Sequence, residues 1–218
     1  MSFSTNKKQF SILILGKGLT GISVANWCNR HNIKSLIYSD DEKNDINFLP
    51  SIIIRSPGFP KGHKIISHYI KKKVTICGDF QAAKILGLLP KNIKIIGITG
   101  TNGKTTVTKM IYSVMKSFHK NTYMVGNIGI PIFNIIDKVN KKNEKTYLIA
   151  ELSSFQLSDK FDLPVDSGVI LNISHDHLDW HKDYKDYIKS KINIFNEAKN
   201  KIANINCKQL IRKYTNFD

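Results

Sequence analysis

The chain has 218 residues, 41% of them hydrophobic and 23% charged, which suits one large or two small soluble domains. No stretch approaches the roughly 18 uncharged apolar residues of a membrane span, and the first apolar run leads into a glycine loop, unlike a signal peptide. The net charge of +16 invites a nucleic-acid partner, but only three of the 33 basic residues are arginine, the residue best suited to bases and phosphates, so we expect neither a nucleic-acid nor a membrane partner.

The first 90 residues alternate between strand-like and helix-like segments. β-Rich apolar runs predict the strands, and longer segments with spaced apolar residues predict the helices. The predicted strands are 11–16, 34–39, 51–56 and 74–78, and the predicted helices are 19–30, 63–72 and a segment that ends near Leu86.

A second alternation begins after "GLLPKN" (87–92), whose Gly and Pro follow a helix and mark a candidate linker. Such alternation is typical of parallel sheets covered by helices, so we expect an α/β fold with domains at 1–90 and 91–218. The predicted strands here are 93–99, 122–126, 146–152, 167–174 and 201–205, and the predicted helices are 104–118, 131–139, 184–199 and one that begins in the last residues.

The motif "GKGLTG", from Gly16 to Gly21, directly follows the first predicted strand. Its G-x-G-x-x-G spacing permits a tight turn and lets the backbone approach a phosphate at a helix N-terminus. Ser39, Asp40 and Asp41 end the second strand, about where an acidic residue would meet a ribose hydroxyl. NAD is the obvious ligand, but such loops also bind other nucleotides, and some only turn the chain.

The stretch "ITGTNGKTT" (98–106) also follows an apolar strand and opens a helix, which is the setting of a phosphate loop. The usual G-x-x-x-x-G-K-[ST] pattern has a glycine where Ile98 stands, but Gly97 and Gly100 lie on either side. We expect the backbone N–H groups from Gly100 to Lys104 to surround phosphates, Lys104 to pair with the β and γ oxygens, and the Thr105 hydroxyl to ligate Mg²⁺. The alternative is a flexible turn with an exposed lysine.

Two further strands are followed by polar motifs. "ELSSFQL" (151–157) places Glu151 at a strand end beside the phosphate loop, where a carboxylate can hold Mg²⁺. "NISHDHLDWH" (172–181) brings His175, Asp176, His177 and Asp179 onto one loop. Zinc is conceivable there, but an ATP–Mg²⁺ site explains the loop better because no other ligand cluster supports zinc. Solvent-facing acids and ordinary surface histidines are the alternatives.

The cysteines indicate the compartment. Cys28, Cys77 and Cys207 are scattered along the chain and odd in number. They predict neither a disulfide framework nor a zinc spacing. A reducing cytoplasm is therefore the expected location.

Together these motifs resemble the Mur ligases, the ATP-dependent amide-bond enzymes of peptidoglycan assembly. That family uses the T-G-T-N-G-K-T form of the ATP loop, and "GNIG" (126–129), "ELSSFQL", "NISHDHLDWH" and "YIKSKINIF" (187–195) follow in the family's order. "GKGLTG", "SPGFP" (56–60) and "ELSSFQL" resemble the members that add D-glutamate. The resemblance implies a Rossmann-like N-terminal domain that holds a UDP-sugar instead of NAD, followed by the first part of a P-loop-type parallel-sheet ATP-binding domain.

The reaction implied by the resemblance joins D-glutamate to UDP-N-acetylmuramoyl-L-alanine, with ATP and Mg²⁺ as cofactors. The L-alanine carboxylate would attack the γ-phosphate of ATP to form an acyl phosphate, and the amine of D-glutamate would then displace phosphate. By the same resemblance, the ATP-binding residues are Gly100, Thr101, Asn102, Gly103, Lys104, Thr105 and Thr106.

The resemblance also implies substrate, catalytic and metal-binding roles. The implied substrate-binding residues are Leu19, Thr20, Asp40, Ser56, Pro57, Gly58, Asn127, Ser153 and Gln156. The implied catalytic residues are Lys104, His177 and Lys191, and the implied metal ligands are Thr105, Glu151, His177 and Lys191. From the helix pattern alone Lys191 is an ordinary lysine, but it resembles the family lysine that CO₂ carbamylates, and the resulting anion can face Mg²⁺ as an ammonium cannot.

The resemblance ends inside the second of the family's three domains. We therefore expect the C-terminal ligase domain to be absent and the chain to be a truncated gene product or one half of a split enzyme. Such a chain should not ligate alone, and a separate chain could carry the missing half. Two other hypotheses are a nicotinamide-dependent oxidoreductase, which gives no role to Lys104, and a non-catalytic module that binds UDP-sugar or ATP.

Overall fold

The structure is a computed structural model that describes residues 10–41, 45–140, 145–158 and 165–215. It divides into two compact units. The first unit runs to Leu88 and also contains Ile132–Asp137, and the second contains Leu89–Pro131 and the residues from Lys138 onward. Each unit is built around its own parallel sheet, which confirms the expected α/β fold.

The first sheet has four parallel strands covered by helices. The strands are β1 (Ser11–Leu15), β2 (Lys34–Tyr38), β3 (Ile52–Arg55) and β4 (Thr75–Cys77), in the order β2-β1-β3-β4. Every residue of β1 and β3 is buried, as expected of apolar strands covered on both faces. The helices are α1 (Leu19–Arg30), α2 (Lys64–Lys71) and α3 (Asp79–Ile85).

A hydrophobic core joins α2 to the central strands of the first sheet. Ile65, Ile66 and Tyr69 lie on one face of α2, spaced one, three and four residues apart, and pack against the strands. The other buried members of this core are Leu13, Leu15, Ile53 and Phe59. Full burial of one such side chain contributes roughly 1.5–3 kcal/mol, so this core holds α2 and the segment after β3 in place.

The second sheet has five parallel strands. They are β5 (Ile93–Thr99), β6 (Thr122–Gly126), β7 (Thr146–Glu151), β8 (Ser167–Ile170) and β9 (Asn200–Ala203), in the order β6-β7-β5-β8-β9. After β5 the chain moves to one side of the sheet, and after β7 it crosses to the other. Ligands of open α/β sheets bind at the carboxyl ends of the strands near such a crossover point.

Helices and short 3₁₀ turns complete the described chain. The helices are α4 (Lys104–Phe118), α5 (Ile132–Asn140), α6 (Ser154–Leu157), α7 (Tyr184–Ile192) and α8 (Lys208–Arg212). The 3₁₀ turns are Asn193–Phe195, after α7, and Ile205–Cys207, before α8.

Two predictions about these elements were wrong in extent, and one short helix was missed. The helix predicted at 184–199 ends at Ile192, because the chain turns through a 3₁₀ segment to enter β9. The strand predicted at 167–174 ends at Ile170, because the residues after it leave the sheet and contact the phosphate loop. Helix α6 was not predicted; a capping box at its start stabilises this single turn.

In each unit, the polar motifs predicted to bind ligands lie at the carboxyl ends of the strands. In the first unit, "GKGLTG", Asp40 and "SPGFP" follow β1, β2 and β3. In the second unit, the phosphate loop and Asn127 follow β5 and β6, and Glu151 ends β7. Because parallel strands share one carboxyl edge, each unit gathers its polar motifs on one side.

Candidate functional site

The phosphate loop joins β5 to α4. Gly103 adopts a left-handed conformation, with φ of +80°, directly before α4, and this conformation favours glycine. The Nζ atom of Lys104 turns back over the loop and donates to the carbonyl oxygens of Gly100 and Thr101 at 3.0 and 2.8 Å. Thr106 lies exposed in the first turn of α4. The positive charge of Lys104 therefore lies at a helix N-terminus. Both this charge and the helix dipole favour a bound anion.

Asn172, the second residue after β8, holds this loop in place. Its Oδ1 atom accepts from the backbone N–H groups of Thr101 and Asn102 at 3.0 and 2.8 Å, and its Nδ2 atom donates to the Asn102 carbonyl at 3.0 Å. Two of the N–H groups that we expected to surround phosphates are thus bonded within the protein.

Glu151 lies between two predicted ligand-binding residues. The Thr105 hydroxyl donates to its Oε2 atom, and the Asn127 amide donates to its Oε1 atom, both at 2.8 Å. Glu151 is only 1% exposed and pairs in register with Ile98 and Gly126 on the neighbouring strands. The structure therefore brings together one predicted pair of metal ligands and one predicted substrate contact.

The atoms gathered at Glu151 suit a magnesium ion. The Thr105 hydroxyl and the Glu151 carboxylate offer only oxygen, and Mg²⁺ prefers oxygen ligands, usually one or two carboxylates together with phosphates and water. Within the described ranges, no three His, Cys, Asp or Glu side chains converge, as a zinc site would require. The residues present therefore fit Mg²⁺ held jointly with a phosphate.

Lys191 reaches the same loop from α7. Its Nζ atom donates to the Gly100 carbonyl at 2.7 Å and lies 4.7 Å from the centre of the Tyr187 ring. The residue is only 2% exposed. Burial, and then the charge of Lys104, lower the pKa of Lys191 to about 7. A large fraction of the neutral amine, the nucleophilic form, is therefore present near neutral pH.

Tyr187 connects α7 to the phosphate loop and to His177. Its hydroxyl lies 2.9 Å from the Thr101 hydroxyl, and its ring lies 6.4 Å from the His177 ring, edge to face. Burial raises the pKa of Tyr187 to about 12. The phenol therefore stays protonated and keeps its hydrogen bond to the loop across the physiological pH range.

His177 lies on the loop after β8 in an uncommon backbone conformation, with φ of +52°. The Asp176 carboxylate accepts from the His177 backbone N–H at 2.9 Å, and the Phe155 ring lies 4.8 Å from the imidazole. The imidazole is 44% exposed. Among the described residues no hydrogen bond joins His177 to Thr105 or Glu151.

His181 anchors the same loop. Its Nε2 atom lies 3.0 Å from the Ser154 hydroxyl, and its Nδ1 atom lies 3.1 Å from the Asp186 carboxylate. Because a carboxylate only accepts, Nδ1 carries the proton and Ser154 donates to Nε2. The chain of bonds has the order of a serine-hydrolase triad, but Ser154 is 1% exposed and no substrate can reach it. The bonds therefore position the loop between α6 and α7.

Ser153 and Gln156 form reciprocal hydrogen bonds at the start of α6. The Ser153 hydroxyl accepts from the Gln156 backbone N–H at 3.2 Å, and the Gln156 Oε1 atom accepts from the Ser153 backbone N–H at 3.0 Å. Both residues, which the family resemblance assigns to substrate, are less than 10% exposed. In this structure they form a capping box directly after the strand that carries Glu151.

The glycine loop of the first unit joins β1 to α1. Gly16 has φ of +99°, and its N–H donates to the Tyr38 carbonyl at 2.9 Å. A Cβ atom on Gly21 would lie 2.0 Å from the Gly16 carbonyl oxygen, so the loop can close only with glycine there. Leu19, 81% exposed, and Thr20 begin α1 beside this loop.

The other predicted residues of the first unit surround this loop. The Ser56 hydroxyl donates to the Gly16 carbonyl at 3.3 Å, directly after β3. Pro57 and Gly58 lead from there towards the surface. The side chain of Asp40, two residues after β2, is 60% exposed. The first sheet thus has a glycine loop and an exposed carboxylate at the carboxyl ends of its strands, a combination typical of nucleotide sites.

Sequence analysis missed Asn172, Tyr187 and His181. Asn172 follows an apolar strand as Asn127 does, and Tyr187 lies four residues before Lys191 and so on the same helix face. These signals are present in the sequence. They become interpretable only when the strand order shows that β8 lies beside β5.

This geometry defines an α/β protein of the phosphate-loop class. A model of the Mur ligase middle domain matches residues 98–217, more than half of the chain. The chain belongs to the Mur ligase family, as the resemblance of its motifs implied.

Curated relatives extend the similarity to the first unit. The UDP-N-acetylmuramoylalanine--D-glutamate ligase of Buchnera aphidicola subsp. Baizongia pistaciae is 35% identical, over 89% of this chain and 47% of its own length. The ligase of the same name from Leptospira interrogans serovar Lai is 32% identical, over 89% of this chain and 43% of its own length. The chain therefore spans about half the length of the curated relatives it matches.

A solved structure supports the fold. The ligase named UDP-N-acetylmuramate:L-alanyl-gamma-D-glutamyl-meso-diaminopimelate ligase from Neisseria meningitides superposes with a TM-score of 0.57, over 93% of this chain and 73% of its own. At 13% identity this similarity concerns the fold alone. In the part of the chain that the structure describes, no helix has the length and apolar character to cross a membrane.

Proposed function

We propose that this chain acts in the ATP-dependent ligation of D-glutamate to UDP-N-acetylmuramoyl-L-alanine, a cytoplasmic step of peptidoglycan synthesis. The proposal is supported by the names of the curated relatives and by their match to most of this chain. Those relatives are about twice as long as the region that they share with this chain. We therefore propose the complete reaction for a ligase that includes both this region and the other half. We include a separate polypeptide that carries the other half among the proposed partners.

One observation carries the proposal: Lys104 lies over a loop that opens a helix, within 3.0 Å of two loop carbonyls, while the next residue contacts a buried carboxylate. Carbonyl dipoles hold the ammonium without neutralising it, so it can still pair with phosphate oxygens. The positive helix end lies beside it. A lysine, a hydroxyl and a carboxylate in this order are what the binding of a magnesium triphosphate requires.

Magnesium would be held by residues of the second unit. Thr105 and Glu151 would ligate one ion, and His177, together with Lys191 in its carbamylated form, a second. When bound, the metal would supply positive charge that offsets the repulsion between anionic reactants. Asn127 would keep the Glu151 carboxylate oriented towards that site, since its amide already donates to Oε1.

Lys191 is proposed to react with CO₂. The neutral amine attacks the carbon of CO₂, a C–N bond forms, one proton leaves and a carbamate anion remains. Burial supports this step, because it lowers the pKa of Lys191 to about 7 and so supplies the neutral amine. The carbamate would also remove one of the two cations that now share the Gly100 carbonyl.

The first unit is proposed to bind the UDP end of the sugar nucleotide. Backbone groups near Leu19 and Thr20 would contact the diphosphate or uridine, the segment from Ser56 to Gly58 would contact the nucleotide, and Asp40 would lie on the uracil side. The exposed side chain of Asp40 and the open space at Gly18 of the glycine loop support this assignment.

In the proposed reaction the L-alanine carboxylate attacks the γ-phosphorus of ATP, ADP leaves, and an acyl phosphate forms. The D-glutamate amine then attacks the acyl carbon and phosphate leaves. Lys104 would stabilise the transferring phosphoryl group, and Ser153 and Gln156 would hold the backbone before α6 in position for substrate. Correct positioning of the two reactants would supply much of the rate.

Calorimetric titration of the purified chain with MgATP tests the proposal. We expect Lys104→Met to weaken MgATP binding about 10–100-fold, because a charge-assisted contact contributes roughly 1.5–3 kcal/mol. Lys109→Met, which removes an exposed lysine from the same helix, is the matched control and should bind normally. Equal binding by the two variants would contradict the role of Lys104.

Titration with UDP-N-acetylmuramoyl-L-alanine tests the first unit, with NADH as the comparison ligand. We expect heat from the UDP-sugar and none from NADH. Heat from NADH alone would overturn the proposal and favour an oxidoreductase. ATP-dependent amide formation by this chain alone would show that the shared half of the relatives is sufficient for the reaction.

A further inference from the structure

His63 makes two hydrogen bonds at the edge of the first sheet. Its Nδ1 atom accepts from the backbone N–H of Ile65 at 3.2 Å, which makes it the N-cap of α2. Its Nε2 atom lies 2.9 Å from Oδ1 of Asp40. The sequence analysis singled out Asp40 but assigned no role to His63.

The two partners determine which nitrogen carries the proton. A backbone N–H can only donate, so Nδ1 of His63 must present its lone pair to Ile65. A neutral imidazole with a bare Nδ1 carries its proton on Nε2. Nε2 therefore donates to the carboxylate of Asp40, and the bond needs no charge on the histidine.

The imidazole is held rigidly by its surroundings. Its ring lies 5.1 Å from the Phe59 ring and 5.8 Å from the Tyr38 ring, and its side chain is 15% exposed. Phe59 is itself fixed, because its carbonyl accepts from the buried Arg55 guanidinium at 2.7 Å. The donor that faces Asp40 is therefore anchored at one nitrogen and packed against two aromatic rings.

Asp40 differs from His63 in exposure. Its side chain is 60% exposed and would sample several rotamers without a partner. An exposed ion pair between two flexible chains contributes little, but here the donor is already immobile, so the bond fixes Asp40 at small entropic cost. Immobilising one side chain before binding saves roughly 0.5–1.5 kcal/mol, which corresponds to about a 2–10-fold gain in affinity.

We propose that His63 is a positioning residue that holds the Asp40 carboxylate ready for the N–H or hydroxyl donors of a uridine nucleotide. The inference rests on the proposed function, since it assumes that this edge of the first sheet binds UDP. It differs from a purely structural role, in which His63 would only cap α2.

A set of substitutions separates the two roles. In His63→Asn the side-chain oxygen can still cap α2, because Asn is a good N-cap, but the shorter side chain does not reach Asp40. His63→Ala loses both bonds. His68→Asn is the matched control, since His68 is an exposed histidine of the same helix.

Calorimetry with UDP as the probe, together with thermal unfolding, gives the readout. We expect His63→Asn to unfold near the wild-type temperature but to bind UDP about 3–10-fold more weakly, and His68→Asn to match the wild type in both. In the Asp40→Ala background, His63→Asn should weaken binding no further, because His63 acts through Asp40. Undiminished UDP binding by His63→Asn, or an equal loss in both backgrounds, would overturn the inference.

The ¹⁵N chemical shifts of the His63 ring give a test that requires no ligand. We expect the Nε2–H tautomer in the wild type and a shift of the Nε2 signal in Asp40→Ala. An Nδ1–H tautomer would overturn the inference even if UDP binds. A wild-type chain that binds no UDP would overturn the proposed function and the ligand named here, while the ring signals would still show whether His63 holds Asp40.

Discussion

The two glycine loops look alike in the sequence and differ in what their glycines do. At two glycines of the first loop the space is filled: a Cβ atom on Gly21 would lie 2.0 Å from a backbone oxygen, and one on Gly16 would lie 3.0 Å from Ser56. In the second loop Gly100 is also crowded, but a Cβ atom on Gly103, the last glycine before the helix, would meet nothing closer than 3.9 Å. Gly103 is needed instead for its left-handed conformation, with φ of +80°.

The two loops also differ in the side chains that begin the following helix. The second loop begins its helix with Lys104 and Thr105, which contact loop carbonyls and Glu151. The first loop begins its helix with Leu19, whose side chain is 81% exposed. The comparison shows that the second loop has a lysine bonded to its own carbonyls at the helix start, whereas the first loop has an exposed apolar side chain at that position. Three predictions test it.

Gly21→Ala should have the largest effect on stability. The added methyl group would force the Gly16 carbonyl away from α1, and overpacking of this severity costs about 3 kcal/mol or more. We expect the thermal unfolding of the first unit, followed by circular dichroism, to shift to clearly lower temperature. Gly18→Ala is the control, since nothing lies within 4 Å of that position. Similar unfolding of the two variants would show that the first loop is not closed by contact.

Asp79→Asn should stabilise the protein at neutral pH. Asp79 is 4% exposed in the first unit, and burial raises its pKa from 3.8 to about 6. Between those values the folded state binds more protons than the unfolded state, so stability falls as pH rises through this window. Asparagine carries no charge, so we expect a gain of about 1–3 kcal/mol at pH 7 that disappears near pH 4.

Denaturant unfolding at both pH values measures this effect, with the exposed Asp45→Asn as control. A gain that is the same at pH 4 and pH 7 would mean that the Asp79 charge is not its cause. Lys191 of the second unit is a buried group of the opposite charge and allows a comparison. There, burial lowers the pKa of Lys191 towards neutrality beside the phosphate loop.

Gly103→Ala should have the smallest effect on stability. The site has room for a methyl group, so only the left-handed conformation is penalised, at about 1 kcal/mol. Gly62→Ala, at an open position without a positive φ, should be close to neutral. Denaturant midpoints of both variants measure the difference. A loss at Gly103 as large as that at Gly21 would remove the distinction between the two loops.

Sequence reasoning predicted most of the secondary structure, because local patterns determine it. The predicted bounds of α1, β5, α4 and β6 agree with the structure, since each has a clear apolar pattern between glycine-, proline- or lysine-rich breaks. The extents of β8 and α7 were mispredicted because they depend on contacts with the phosphate loop and on the entry into β9. Such contacts leave no local pattern.

Only part of the candidate site was predicted from the sequence, for the same reason. The interpretation of Lys104, Thr105 and Glu151 as parts of one site followed from strand ends and a loop motif, and the structure brings all three together. Asn172 and Tyr187 were missed, since their bonds to the loop join residues 70 and 86 positions apart. The roles of Lys104, Thr105 and Glu151 as ligand-binding residues stay predictions.

By itself the sequence determined the α/β alternation, the two glycine loops and the order of the polar motifs, because each is written in neighbouring residues. Only the tertiary structure decided that β8 lies beside β5, that Lys191 shares a carbonyl with Lys104, and that His63 holds Asp40. Hydrogen bonds and burial act through space, whatever the separation along the chain. The lowered pKa of Lys191 shows this most clearly, because an ordinary helical lysine acquires it only when the folded chain removes it from water.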